Sequence, residues 1–124
     1  MKRETREWVE IAEGDLKAAR LMLEGEFCPQ RVFHCHEAVE KILKGLWIEH
    51  TSQGVPPKIH DLPALAKQAG LRLSRQQTEF LGKLAEQYLP TRYGDAVVEY
   101  PRKVAEDYYR QTEELFSWLR QQLS

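Results

Sequence analysis

Apolar residues recur along the chain at spacings of three and four, the period of helix faces turned to a core. The pattern is clearest from Pro29 to Trp47, PQRVFHCHEAVEKILKGLW. Val32, Cys35, Val39, Leu43 and Leu46 form one stripe there. Phe33, His36, Glu40, Leu43 and Trp47 form a second, so polar groups stand where apolar ones belong. Glu37 precedes Lys41 by four residues and Glu40 precedes Lys44 by four, the favoured order for helical ion pairs. Pro29 suits a first helical turn, and Gly54 with Pro56 and Pro57 stops any extension past His50.

The other elements follow from the same spacing and from punctuation. Thr5 is placed to cap a first helix reaching about Glu24, with Trp8, Ile11, Ala12, Leu16, Ala19, Met22 and Leu23 inward, Asp15 at the stripe's edge and Gly25 as its stop. HTSQGVPPKIHD is a loop, and Asp61 can cap a short helix over Leu62, Leu65, Ala66 and Ala69, closed by Gly70. Ser74 and Gln77 make a capping box for a helix with Phe80, Leu81, Leu84, Ala85 and Tyr88 inward. Pro90 and Gly94 break it, and Val97–Val98 is too short for a strand that stands alone. A last helix begins near Pro101 and runs to about Gln122, on a face of Val104, Tyr108, Gln111, Leu115, Trp118 and Leu119. Short links make consecutive helices antiparallel neighbours. The expectation is an all-α, antiparallel up-and-down bundle of four to five helices in a single domain over residues 1–124, with the Pro29 helix central.

Composition adds exclusions. A chain of 124 residues, 42% hydrophobic and 30% charged, can bury a core without disulfides or metal. Its net charge of −1 supplies no general attraction to nucleic acid, so any such binding needs a local patch. No apolar run approaches a membrane span, and MKRETREWVE lacks the apolar core of a signal peptide. A cytoplasmic setting follows, with Cys28 and Cys35 as free thiols. His34 and His36 stand about 200° apart around a helix axis and cannot close on one ion, so no metal and no cofactor is expected.

Three groups can carry chemistry. His36 and Glu40, one turn apart, can hydrogen-bond as a general acid–base does, or can be a polar pair at a helix seam. Arg92, Tyr93 and Asp95 share a loop, where the arginine fork suits a phosphate or latches the loop to Glu40 or Asp15. His60-Asp61-Leu62 opens a helix and is read as capping. Arg31 and His36 are five residues apart and diverge by about 140° on a straight helix.

Taken together, these residues resemble the HEPN family, the higher-eukaryote and prokaryote nucleotide-binding domain. The resemblance runs from Trp8 to Leu119. It is carried by Trp8…Ala12…Asp15-Leu16…Ala19, by His36-Glu37-Ala38-Val39-Glu40-Lys41-Ile42-Leu43-Lys44, by His60-Asp61-Leu62 and by Arg92-Tyr93-Gly94-Asp95, where the family usually has R-Y-P-D. It implies a helical bundle, commonly a homodimer, in a prokaryote beside a minimal nucleotidyltransferase, often as a toxin–antitoxin pair. Several branches are metal-independent ribonucleases with an R-x4-6-H motif on a late helix. Here no histidine follows Arg92 at that distance.

The leading expectation is a nucleotide- or RNA-associated subunit that works with a nucleotidyltransferase. Its patch combines Asp15, His36, Glu40, Lys41, Arg92, Tyr93 and Asp95, with Arg92 and Lys41 toward phosphate and Tyr93 as a stacking face. The alternatives are a metal-independent endoribonuclease toxin, using His36 with Arg92 or Arg31 across a dimer, and a non-catalytic bundle whose polar cluster fixes helix register.

Overall fold

The structure is a computed structural model that describes residues 1–22, 28–51, 53–92 and 101–123, without the side chains of Leu89 and Arg92. Among the described residues six helices follow one another: α1 (Arg3–Leu21), α2 (Cys28–Thr51), α3 (Leu62–Gln68), α4 (Arg75–Glu86), α5 (Tyr88–Arg92) and α6 (Arg102–Gln121). The fold is an all-α helical bundle, and no strand occurs among the described residues.

Helix α2 occupies the centre and touches each of the other five. Both of its stripes are inside. Val32, Cys35, Val39, Leu43 and Leu46 are wholly enclosed, and so are His36 and nearly all of Glu40, Lys44 and Trp47. Closeness to α1 depends on small residues. A Cβ on Gly45 would lie 3.4 Å from the Thr5 carbonyl oxygen and from Trp8 Cβ. Ala12 and Ala19 on α1 are likewise fully buried. Lys2 closes the seam, its Nζ donating to the Ile48 carbonyl at 2.8 Å and its backbone N–H to Glu49 at 2.9 Å.

Several helix ends follow the local chemistry expected of them. The Asp61 carboxylate accepts from Ala64 N–H, and Ser74 with Gln77 forms the reciprocal capping box. Gly70 adopts φ 74°, the left-handed conformation that ends a helix without a Cβ clash.

Other expectations need correction. Thr5 does not cap α1. The cap position is Lys2, and Thr5 lies inside the helix with its side chain buried. The inward face of α1 is Thr5, Val9, Ala12 and Ala19, while Ile11 is 52% exposed. Helix α6 is turned similarly: Ala105, Thr112, Leu115, Phe116 and Leu119 are buried, Val104 is 39% exposed and Gln111 faces outward. In both cases the face bearing alanine goes inward, because a central helix covered on all sides needs close neighbours. The break after α4 falls at Gln87 rather than at Pro90. Pro90 has no N–H for the Glu86 carbonyl and its ring would clash there, so the helix stops and restarts. Within α5 it occupies the first turn, where proline is tolerated. Gly25, Gly94 and Val97–Val98 lie outside the described residues.

Candidate functional site: an ionised array along the central helix

Charged groups on α2 find their partners inside the bundle. At one end of the array the Asp15 carboxylate of α1 receives Lys41 Nζ at 2.5 Å and His34 Nδ1–H at 2.8 Å. Lys41 also reaches Glu37 at 3.5 Å. The other oxygen of Glu37 faces His36 Nδ1 at 3.8 Å, and His36 Nδ1 faces Glu40 Oε1 at the same distance. Glu40 in turn accepts from Lys44 Nζ at 3.1 Å and from His60 Nδ1–H at 2.9 Å. The contacts form a continuous path from His34 to His60 along one helix.

Tyr88 closes the far end. Its ring stacks on His60 with centroids 4.5 Å apart and 16° between planes, and tilts against His36 at 4.8 Å. His60 is the accessible member, and with Tyr88 it lines an open cleft shared by Asp61, Pro63, Glu86 and Pro90. Lys44 Nζ lies 5.7 Å from the centroid of the Trp8 ring.

The electrostatics follow from this crowding. Burial raises the cost of a charge on Glu37, but the facing His36 and the charge of Lys41 outweigh it and hold the carboxyl below its usual range. Burial likewise works against the Lys41 ammonium, and Asp15 and Glu37 more than restore it, so its pKa is raised.

One orphan stands out in an otherwise paired array. His36 is fully enclosed, yet among the described residues neither ring nitrogen has a hydrogen-bond partner, and Glu37 Oε1 is also buried without one there. The direct His36–Glu40 hydrogen bond expected from their spacing is not made. Lys44 and His60 draw the Glu40 oxygens to themselves, leaving His36 3.8 Å away.

The expected patch is therefore brought together only in part. Asp15, His36, Glu40 and Lys41 join one array. Tyr93, Asp95 and the side chain of Arg92 lie outside the described residues. Asp15 pairs with Lys41, and Glu40 with Lys44. Arg31 belongs elsewhere. It is buried, donates through Nε to the Ala19 carbonyl at 2.9 Å and sits 4.6 Å from the centroid of Tyr109. His34, Glu37, Lys44, His60 and Tyr88 are the members that spacing alone did not assign to a site. The glutamate–lysine pairs on a helix with two apolar stripes were the available signal, because such a helix leaves them only a narrow, half-buried face.

The HEPN domain family model matches residues 5–122. Two solved structures have the same fold. TT1696 from Thermus thermophilus superposes with a TM-score of 0.80 at 26% identity, over 98% of this chain and 100% of its own. ST0689, described as an archaeal HEPN homologue, gives 0.75 at 26% identity and full coverage of both chains. No curated protein matches significantly. A family match over nearly the entire chain, joined to a shared bundle and to the ionised second helix, shows that the chain belongs to the HEPN family.

Proposed function

We propose that this HEPN protein is a nucleotide- or RNA-associated subunit that acts with a minimal nucleotidyltransferase in a toxin–antitoxin-like pair of the prokaryotic cytoplasm, as a homodimer. The observation that carries the reading is the placement of α5. This helix sets Tyr88 on His36 and His60 at the end of a buried ionised array, and it ends four residues later at Arg92. An aromatic and an imidazole at a cleft suit a base, and an arginine suits a phosphate. Lys41 and the carboxylates of Asp15 and Glu40 hold the inner end in register, and Tyr93 and Asp95 join Arg92 in the proposed nucleotide-binding set on their sequence alone. No helix of the described residues is long and apolar enough to cross a membrane.

The dimer is proposed on family membership. Trp47 and Phe116 are buried within one chain and Tyr109 is half-covered beside Arg31, so these residues do not call for a second copy. Tyr100 lies outside the described residues.

The test is calorimetric titration with ATP, GTP and short single-stranded RNA, in EDTA, on the wild type and on Arg92→Ala. Saturable binding without turnover, lost in Arg92→Ala while the melting temperature stays put, is the expected result. RNA cleavage without metal would establish the ribonuclease alternative instead. No binding by a folded wild type would leave the interaction bundle as the function. Co-purification with the product of an adjacent nucleotidyltransferase gene, if one is present, tests the pairing. Sedimentation at micromolar concentration tests the dimer.

A further inference from the structure

We infer that His36, Glu37 and Glu40 form a binding site for one divalent transition-metal ion of the zinc class. The bundle leaves two groups here unsatisfied. His36 Nδ1 and Glu37 Oε1 are both buried, both lack a hydrogen-bond partner among the described residues, and they face each other at 3.8 Å. Glu40 Oε1 stands 3.8 Å from the same nitrogen. All three atoms lie within 4.8 Å of one another. Leaving buried polar atoms unpaired costs free energy, and a cation there satisfies His36 Nδ1 and Glu37 Oε1, with Glu40 Oε1, which already accepts from His60, as the third ligand.

The distances suit such an ion. Metal–ligand bonds of about 2.0–2.1 Å in a tetrahedral site put ligand atoms about 3.3–3.4 Å apart. Small torsional changes in the two glutamates close the difference. A neutral imidazole with two carboxylates is a donor set for zinc and its first-row neighbours. The protein supplies three ligands and leaves the remaining position to solvent or to a ligand oxygen.

The surroundings are those of a held site. Lys44 engages the second oxygen of Glu40 and Lys41 the second oxygen of Glu37, which aims each first oxygen at His36. His60 donates to Glu40 Oε1 and is 51% exposed on its side chain, so it acts as a positioning residue at the way in. With Asp15, the cluster holds three carboxylates against two ammonium groups, and with neutral imidazoles it keeps one negative charge for an incoming cation. His34 and His36 still do not share an ion, since His34 is bound to Asp15. The histidine spacing did not disclose this site because its other ligands are glutamates.

The experiment strips the full-length chain with chelator and titrates it with Co2+, reading visible d–d absorbance, and with Zn2+, reading heat and melting temperature. Expected are one ion per chain, absorbance bands of a low-coordinate Co2+ site and a raised melting temperature. Glu37→Gln, which keeps size and removes the charge, should lose about tenfold or more in affinity, as should His60→Gln through loss of orientation. His50→Gln, a histidine of α2 outside the array, should bind like the wild type. His36→Gln should abolish binding, and Glu37→Gln keeps the test valid if that variant fails to fold. The proposal is overturned by an absence of stoichiometric binding, by undiminished affinity in Glu37→Gln, or by loss of binding on replacing Cys28 instead.

Discussion

The guanidinium of Arg31 lies over the ring of Tyr109, 4.6 Å from its centroid, joining α2 to α6 while its Nε donates to the Ala19 carbonyl of α1. A single side chain thus ties three helices. Hydrogen bonds from a charged donor contribute about 1.5–3 kcal/mol and a partly desolvated cation–π contact about 1–2 kcal/mol. Arg31→Ala should therefore destabilise the fold by about 2–4 kcal/mol, read from urea unfolding. A loss below about 0.5 kcal/mol would show that the contact is not made.

Tyr109 should ionise late. Burial first, then its hydrogen bond to the charged Glu113, push its hydroxyl up to about 12, against a smaller opposite effect of Arg20 and Arg31. A group whose pKa is raised on folding adds stability below its unfolded value, here 10.0, and loses it as pH climbs toward 12. Titration at 295 nm should show a late tyrosine that disappears in Tyr109→Phe, and that variant should lose stability less steeply over the same interval.

The acid limb should depend on Glu37. Its folded pKa lies below the ordinary 4.5, so its contribution is present above that value and fades as pH falls through the folded one. In chelator-treated samples, Glu37→Gln should flatten the fall in melting temperature below pH 4.5. An unchanged acid profile would mean that Lys41 and His36 do not hold the carboxylate.

The two thiols should differ sharply. Cys35 is enclosed, and burial pushes its thiol up to about 11, with the Thr112 hydroxyl and the charge of Arg31 pulling partly the other way. Cys28 is partly exposed. A thiolate reagent at neutral pH should modify Cys28 in the native protein and Cys35 only on unfolding. Two fast equivalents would contradict the burial of α2.

Local chemistry was legible in the sequence, and tertiary choice was not. Ser74 with Gln77, and Asp61 with Ala64, act within three residues of themselves, so their roles can be read from spacing. The faces of α1 and α6 depended on what they meet. Ala12 and Ala19 went inward as their spacing indicated, but large residues such as Ile11 and Val104 suggested the rest of the stripe, and the approach to α2 selected Thr5, Val9 and Ala105 instead. The site shows the same division. Glu40 and Lys44 pair as their four-residue separation requires, whereas His60 reaches Glu40 from twenty residues away along the chain. His60 stands beside the capping Asp61, and in one dimension its role merges with that of its neighbour.

Enclosure of α2 also governs access in time. A helix that touches every other helix has no cheap route to partial opening, so its central amides should exchange with solvent only when the whole bundle unfolds. Fraying cannot then admit anything to His36. His60, 51% exposed on its side chain and stacked on Tyr88 of α5, is held apart from that core. Movement of His60 and exchange of the amides around His36 should therefore be separate events, only the second following the stability of the bundle.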